Sequence, residues 1–233
     1  MEIPILYEDN HLLIVEKPVN IPVQEDASGD PDLLSLLKND LKIRYKKPGN
    51  VFLGLVHRLD RPVGGVMVFA KTSKAASRLS DSLQKNKIGR KYMAVVRGIP
   101  DKKEALLEHY LFKNSRKNIV QTVSRDHKNG KKAVLEYKML ANNAKMSLLS
   151  VKLHTGRSHQ IRVQLSASGF PLYGDQKYGQ QVNRPGQQIA LWAYSLEFEH
   201  PVKKEMIRVE NFPPNKYPWN LWESGKEVLK AGK

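Results

Sequence analysis

The chain has 233 residues, of which 40% are hydrophobic and 27% charged, the balance of a folded protein with a full core rather than of a disordered chain. It contains no cysteine, which excludes a disulfide framework and any cysteine-ligated metal site. Lysine and arginine number 39 against 23 aspartates and glutamates, a net +16 that calls for an anionic partner, with nucleic acid and acidic lipid as the two candidates.

The basic residues are dispersed over Lys42 to Lys47, Lys85 to Lys91, Lys113 to Lys117, Lys128 to Lys132 and Lys226 to Lys233. A membrane-surface protein concentrates such charge on one helix or tail, so dispersal favours a broad nucleic-acid face over lipid; a merely basic solvated surface is the plain alternative. The start, Met1-Glu2-Ile3-Pro4, has no basic region followed by an apolar run, and no apolar run approaches the ~20 residues of a membrane helix. A soluble, cytoplasmic protein with no membrane partner is expected.

Taken in chain order, residues 3–16 predict a hairpin, with Ile5-Leu6-Tyr7 as one arm, Glu8-Asp9-Asn10 as the turn and Leu12 to Val15 as the other arm. Pro18 and Pro22 break regular structure. Leucines at 33, 34, 37 and 41 predict a helix over 31–41 with one buried face, and the basic stretch 42–50, ending in Pro48-Gly49-Asn50, predicts a loop. Val51 to Val56 and Val66 to Ala70 suit buried strands on either side of His57-Arg58-Leu59-Asp60, Pro62 and Gly64-Gly65. Residues 73–86 predict a helix capped by Thr72 or Ser73, with Ala75, Ala76, Leu79 and Leu83 on one face. Tyr92 to Val96 is a predicted strand. Asn129-Gly130 signals a hairpin turn, with strands at 133–140 and 146–154. A helix is expected from near Ser158, with Ile161 and Leu165 inward, to Gly169; strands follow at 189–199 and 205–210. Strands dominate without βαβ alternation and no linker divides the chain. The expected class is α+β, a largely antiparallel mixed sheet flanked by helices and loops, in one domain over residues 1–233.

Three constellations carry chemistry. In His57-Arg58-Leu59-Asp60, an arginine and an aspartate two apart on a loop cannot both be core residues, because burying an unpaired charge is costly. A surface ion pair and a reactive site are both open on spacing alone. A kinase catalytic loop is not: Leu59 intervenes in His-Arg-Asp, Gly65 stands where the metal-binding asparagine belongs, and no glycine-rich phosphate loop precedes it. In Gly89-Arg90-Lys91-Tyr92, the tyrosine is either a half-buried strand residue or a surface on which a base can stack. In Leu153 to Arg162, His154, Arg157, His159, Gln160 and Arg162 crowd a strand-to-helix junction. Metal binding by His154 and His159 is disfavoured, since no carboxylate or third histidine stands at ligand spacing. Arg162, one turn after Ser158 beside the stripe of Ile161 and Leu165, suits an arginine reaching a carboxylate under cover.

Together these motifs resemble the RluA-type pseudouridine synthases over nearly the whole chain, from Glu8-Asp9 and Lys17-Pro18 to Leu191-Trp192-Ala193 and His200-Pro201. The matching segments are LVHRLDRPVGGVMVFAKT at 55–72, RKYMAVVRG at 90–98 and GRSHQIRVQLSASGFPLYGDQKYG at 156–179. The resemblance implies a pseudouridine synthase fold and the isomerisation of uridine at specific sites in structured ribosomal or transfer RNA. It implies Asp60 as the catalytic aspartate, Tyr92 as the active-site tyrosine and Arg162 as the arginine paired with Asp60, with Arg157 second in line for that pairing. Arg58 matches an arginine that in some members fills the space left by the extruded base. His57, Leu59, Arg157, His159 and Gln160 join it as the expected substrate-binding set. The usual Thr-Ser-Gly after the aspartate reads Val63-Gly64-Gly65, and the added glycine is expected to loosen the loop. The resemblance covers the catalytic domain only, without the S4 RNA-binding domain that many relatives carry, so RNA contacts are expected from the catalytic domain itself.

The chemistry needs a carboxylate near C1′ and no redox, phosphate or metal step, so no cofactor and no metal are expected. Asp60 acts either by attack on C1′ or by removing the C2′ proton; an ionised carboxylate serves both, and Arg162 would favour that form. A catalytically silent RNA-binding or RNA-chaperone protein on the same fold is the rival reading, opposed by the intact Asp60, Tyr92 and Arg162. A metal-dependent nuclease is opposed by the isolation of the acidic residues near the motifs.

Overall fold

The computed structural model describes residues 2–222 and Leu229; the lysines of the run Lys226 to Lys233 lie outside the described residues. In chain order the elements are β1 (Ile5–Glu8), β2 (Leu12–Lys17), α1 (Leu33–Arg44), β3 (Gly54–Leu55), β4 (Gly64–Ala70), α2 (Ser73–Gln84), β5 (Gly89–Arg97), β6 (Glu104–Asn114), β7 (Ile119–Val123), β8 (Lys131–Asn142), β9 (Met146–Leu153), α3 (Gln160–Ala167), β10 (Leu191–Glu199) and β11 (Met206–Glu210). The chain divides into two compact units, residues 1–90 with 193–211, and residues 91–192 with 212–233. It passes between them inside β5 and inside β10.

The first unit is built on the expected hairpin. Asp9 closes it, its carboxylate accepting from the His11 and Leu12 amides, both at 2.8 Å. β2 pairs antiparallel with β1 and with β4, in a register that sets Lys17 opposite Gly65. Leu12 and Ile14 from β2, Val66 and Val68 from β4, and Leu196 and Phe198 from β10 form one buried cluster. α2 covers it with Ala75 and Leu79, whose spacing of four places both on one face. Thr72 caps α2, its hydroxyl accepting from the Ala75 amide.

The structure corrects the sequence reading at several places, and it adds two strands, β6 and β7, where none was expected. α1 continues through Lys42 and Ile43 to Arg44 instead of ending at 41. Basic residues in a last turn complement the helix dipole, and Arg44 pairs back to Asp40 one turn earlier and across to Glu8. The strand expected over Val51 to Val56 shrinks to Gly54–Leu55, because only those residues find a partner in β4. Asn129-Gly130 forms a turn, with the Gly130 amide donating to the His127 carbonyl, but it closes no hairpin. β7 and β8 flank β6 on opposite sides, each antiparallel to it, so residues 124–130 cross from one edge of β6 to the other.

In the second unit, β9 pairs with β5 and β8, and β8 with β6, all antiparallel. α3 is short and enclosed: Gln160 to Leu165 are all buried. It ends in a Schellman arrangement. Gly169, at φ +91°, takes the left-handed position, its amide donating to Ser166 while the Phe170 amide reaches Leu165. No helix among the described residues is long and apolar enough to cross a membrane.

Candidate active site

Asp60 opens a turn between β3 and β4, its carbonyl accepting from the Val63 amide at 2.9 Å. Pro62 has no amide hydrogen to give to a strand ladder, so β4 starts only at Gly64. Beneath the turn lies Lys17, the last residue of β2, with no exposed surface. Its Nζ donates to the carbonyls of Pro18 (2.8 Å), Arg61 (2.9 Å) and Val63 (2.8 Å). These use all three protons of an ammonium group. Burial pulls Lys17 down to about 7 from its usual 10.5; the Asp60 carboxylate opposes that shift and Arg61 adds to it. The turn is also tied from outside. The Asn20 amide donates to the Arg61 carbonyl at 2.9 Å, and the Arg61 guanidinium reaches Ser28 and pairs with Asp30.

Gly65 fixes where β4 begins. Its φ is +116°, and a Cβ there would stand 2.2 Å from the Ala193 carbonyl oxygen. Glycine is required on both counts. The glycine before it, Gly64, lies in β4 and is buried.

The residues around Asp60 divide by exposure. Arg58 is exposed, with Nη1 3.5 Å from the Gln24 side-chain oxygen. Leu59 is buried. His57 turns inward, and its Nε2 accepts from the Val68 amide of β4 at 3.3 Å. Burial and the nearby Arg90 charge push His57 down to about 4, so it is neutral at physiological pH and can keep that acceptor role.

Tyr92 lies in β5 opposite Val151 of β9 and is only 7% exposed. Because α3 is enclosed, each polar side chain on it needs an internal partner. Arg162 is held by Asp175 through Nε (2.8 Å) and Nη2 (2.9 Å), and its guanidinium lies 5.2 Å from the Tyr178 ring centroid. Burial alone would raise Asp175; Arg162 and the Lys177 and Tyr178 amides outweigh it and hold the carboxyl below its usual value. Gln160 ties the entry loop, accepting from the Thr155 hydroxyl and the Arg157 amide and donating to the Val134 carbonyl. Arg157 is exposed and reaches the Lys132 carbonyl. His159, at φ +51°, places Nδ1 2.6 Å from the Tyr178 hydroxyl, whereas His154 faces Glu136 at 3.0 Å. The two histidines thus serve different partners.

Two residues with clear positioning roles, Lys17 and Asp175, had no role assigned from sequence. Both lie inside segments that carry the family resemblance, Lys17-Pro18 and GDQKYG.

Residues 11–167 match the RNA pseudouridylate synthase family, a span that includes Asp60, Tyr92 and Arg162. The chain belongs to that family. It is 34% identical over 217 residues to ribosomal large subunit pseudouridine synthase C of Buchnera aphidicola, covering 88% of this chain. The chain spans 65% of that relative's length. An uncharacterized RNA pseudouridine synthase of Zymomonas mobilis is 32% identical over 210 residues, covering 90% of this chain and 93% of that protein. Among solved structures, human RNA pseudouridylate synthase domain containing 4 superposes with a TM-score of 0.77 at 22% identity, covering 91% of this chain and 88% of the other. Human RNA pseudouridylate synthase domain containing 1 gives 0.73 at 23%, covering 99% and 94%. At these identities the likeness establishes the α+β pseudouridine synthase fold.

Proposed function

We propose that this chain is an RNA pseudouridine synthase, acting as a single catalytic domain in the cytoplasm on structured RNA. Large-subunit ribosomal RNA, which the names of several relatives specify, is the first candidate substrate and transfer RNA the second. The observation that carries the reading is the family match over residues 11–167, which takes in all three catalytic candidates.

The reaction breaks the N1–C1′ bond, turns the uracil and joins C5 to C1′; the C5 hydrogen leaves as a proton and N1 gains one. Atoms and electrons balance within the nucleotide, so no co-substrate is consumed. The target base is unreachable inside a stack and is flipped out, at a cost of a few kcal/mol that stacking and phosphate contacts offset. Asp60 supplies the carboxylate, on a turn held by Lys17 below and Arg61 at its side. Arg162 is the arginine that the family resemblance assigns to the site, and its own orientation is set by Asp175. Tyr92 packs against the flipped uracil. Arg58, exposed beside Asp60, occupies the vacated place in the stack. Arg157 and His159 meet the RNA backbone, while His57, Leu59 and Gln160 support the site from within.

Mapping pseudouridine in cellular ribosomal and transfer RNA, with and without the protein, tests this. Pseudouridine lost from defined positions and restored by the wild-type gene but not by Asp60→Asn is expected. An unchanged map, with purified protein inactive on the same RNAs, would overturn it.

A further inference from the structure

Several basic side chains of this fold are neutralised where they stand: Arg44 by Glu8 and Asp40, Lys71 by Glu8, and Lys203 by Asp9. The end of the β6–β7–β8 ribbon is different. Residues 113–132 hold seven lysines and arginines against one acidic residue, Asp126. Lys132 pairs with Glu108. The other six, Lys113, Arg116, Lys117, Arg125, Lys128 and Lys131, are exposed, and none has a carboxylate partner among the described residues.

Strand register explains why two basic runs separated in sequence meet here. Lys113 stands opposite Val120 and Asn114 opposite Ile119, so Arg116 and Lys117 lie at the β6–β7 tip. Lys131 stands opposite Leu111 on the other side of β6. Residues 124–130 cross β6 between these edges, with the His127 ring 4.9 Å from that of Phe112, which brings Arg125 and Lys128 to the same end. At ~3.3 Å per residue, the six charges fall within roughly 20 Å along the ribbon. Like charges so placed repel one another, a cost that an anionic partner removes.

The ribbon is also fixed to α3. Val163 packs against Leu111, Val120 and Ala133. The Val120 amide donates to the Tyr178 hydroxyl at 3.0 Å, the same hydroxyl that meets His159. Gln164 donates to the carbonyls of Leu107 and Ala133. The ribbon is thereby braced to the helix that carries Arg162.

We propose that the end of this ribbon is a docking arm for the sugar–phosphate backbone of an RNA stem flanking the target uridine. A duplex presents a phosphate charge every ~2 Å of axis, so a span of roughly 20 Å offers enough phosphates for all six cations. A lipid surface fits less well, because the apolar area offered here is small: the Phe112 ring is partly buried with the His127 ring 4.9 Å away, and Ile119 at the tip is 39% exposed, against six exposed cations. The contacts read no sequence; they set the register of the stem. The inference rests on the proposed function in taking the bound RNA to be the substrate.

The test compares wild type with Arg116→Gln/Lys117→Gln/Arg125→Gln/Lys128→Gln and with a control of equal charge loss, Lys42→Gln/Lys47→Gln/Lys74→Gln/Lys87→Gln. Binding of a short labelled RNA hairpin is measured from low to moderate salt, beside binding to polyglutamate and to phosphatidylglycerol vesicles. The ribbon variant should bind the hairpin roughly tenfold or more weakly, and its log–log salt slope should be shallower by about 3, from ~0.7–0.9 per lost phosphate contact. The control should lose much less. On substrate RNA, KM should rise while kcat holds. Equal losses in the two variants would overturn the arm, as would tighter binding to vesicles or polyglutamate than to RNA. Absence of pseudouridine formation by wild type would sink the proposed function alone, since hairpin binding needs no turnover.

Discussion

Lys17→Met removes a charge and three donors while keeping an unbranched chain of similar length. The Arg61 carbonyl retains the Asn20 amide, so the substitution strips the donor from two carbonyls, those of Pro18 and Val63. A buried acceptor without a partner costs ~1–3 kcal/mol, or roughly 2–6 kcal/mol for the pair. Removing a buried ammonium returns part of this, because burial already disfavours the charge. A net loss of about 2–4 kcal/mol remains. At ~2–4 °C per kcal/mol for a protein of this size, Tm should fall by roughly 5–15 °C. Turnover, measured well below both transitions, should fall as well, since the turn that starts at Asp60 has lost its lower anchor.

The pH dependence follows from the same group. With its folded value lowered to about 7 against the ordinary 10.5, the unfolded chain binds more protons in that window, and Lys17 makes stability rise with pH from about 7 to 10.5. The variant lacks this rise, so the gap between the two proteins should widen toward high pH. A Lys17→Met protein that melts within a degree or two of wild type at neutral pH, with undiminished turnover, would refute the clamp.

Other outcomes follow from the same geometry. Gly65→Ala should destabilise by about 2–6 kcal/mol, from a strained φ and a collision with the Ala193 backbone, seen as a lower denaturant midpoint at unchanged m. His57, neutral when folded and lowered to about 4 from 6.5, takes up a proton on unfolding between those values. Stability should therefore fall as pH drops from about 6.5 to 4, and His57→Asn should flatten that part of the curve. Asp175→Asn removes the carboxylate that Arg162 chelates and should cost about 3–5 kcal/mol, with turnover falling in the remaining folded protein. Conversion of uridine should proceed in excess chelator; loss of turnover there, restored by a divalent ion, would contradict the metal-free chemistry.

Much of the first unit was legible because its signals are local. Asp9-Asn10 between two apolar runs specifies the hairpin, and Thr72 before the Ala75, Leu79 stripe specifies α2; in the second unit, Gly169 after α3 specifies that helix's end in the same local way. What escaped depends on partners distant in sequence. Asn129-Gly130 announces a turn but not whose strands it joins, and the answer lay in β6, whose run EALLEHYLFKN lacks a clean alternation. A lysine before two prolines reads as solvated; only the pairing of Lys17 with Gly65 sends its amine under the Asp60 turn. The Arg162 environment suggested a covered carboxylate, and Asp175 supplies one from 13 residues downstream, a contact that no spacing rule announces. Asp60 and Tyr92 were singled out by motif, and the motif alone assigns their chemistry.

Asp60→Asn tests the central claim most directly, because it preserves size and most hydrogen bonding while removing the charge that attack on C1′ or removal of the C2′ proton requires. Pseudouridine formation, RNA affinity and thermal unfolding should be measured on one preparation. The account predicts turnover at background, RNA binding retained or slightly tighter because a negative charge has left a site facing phosphates, and a folded protein. Substantial pseudouridine formation by well-folded Asp60→Asn protein would remove Asp60 from the mechanism and contradict the account.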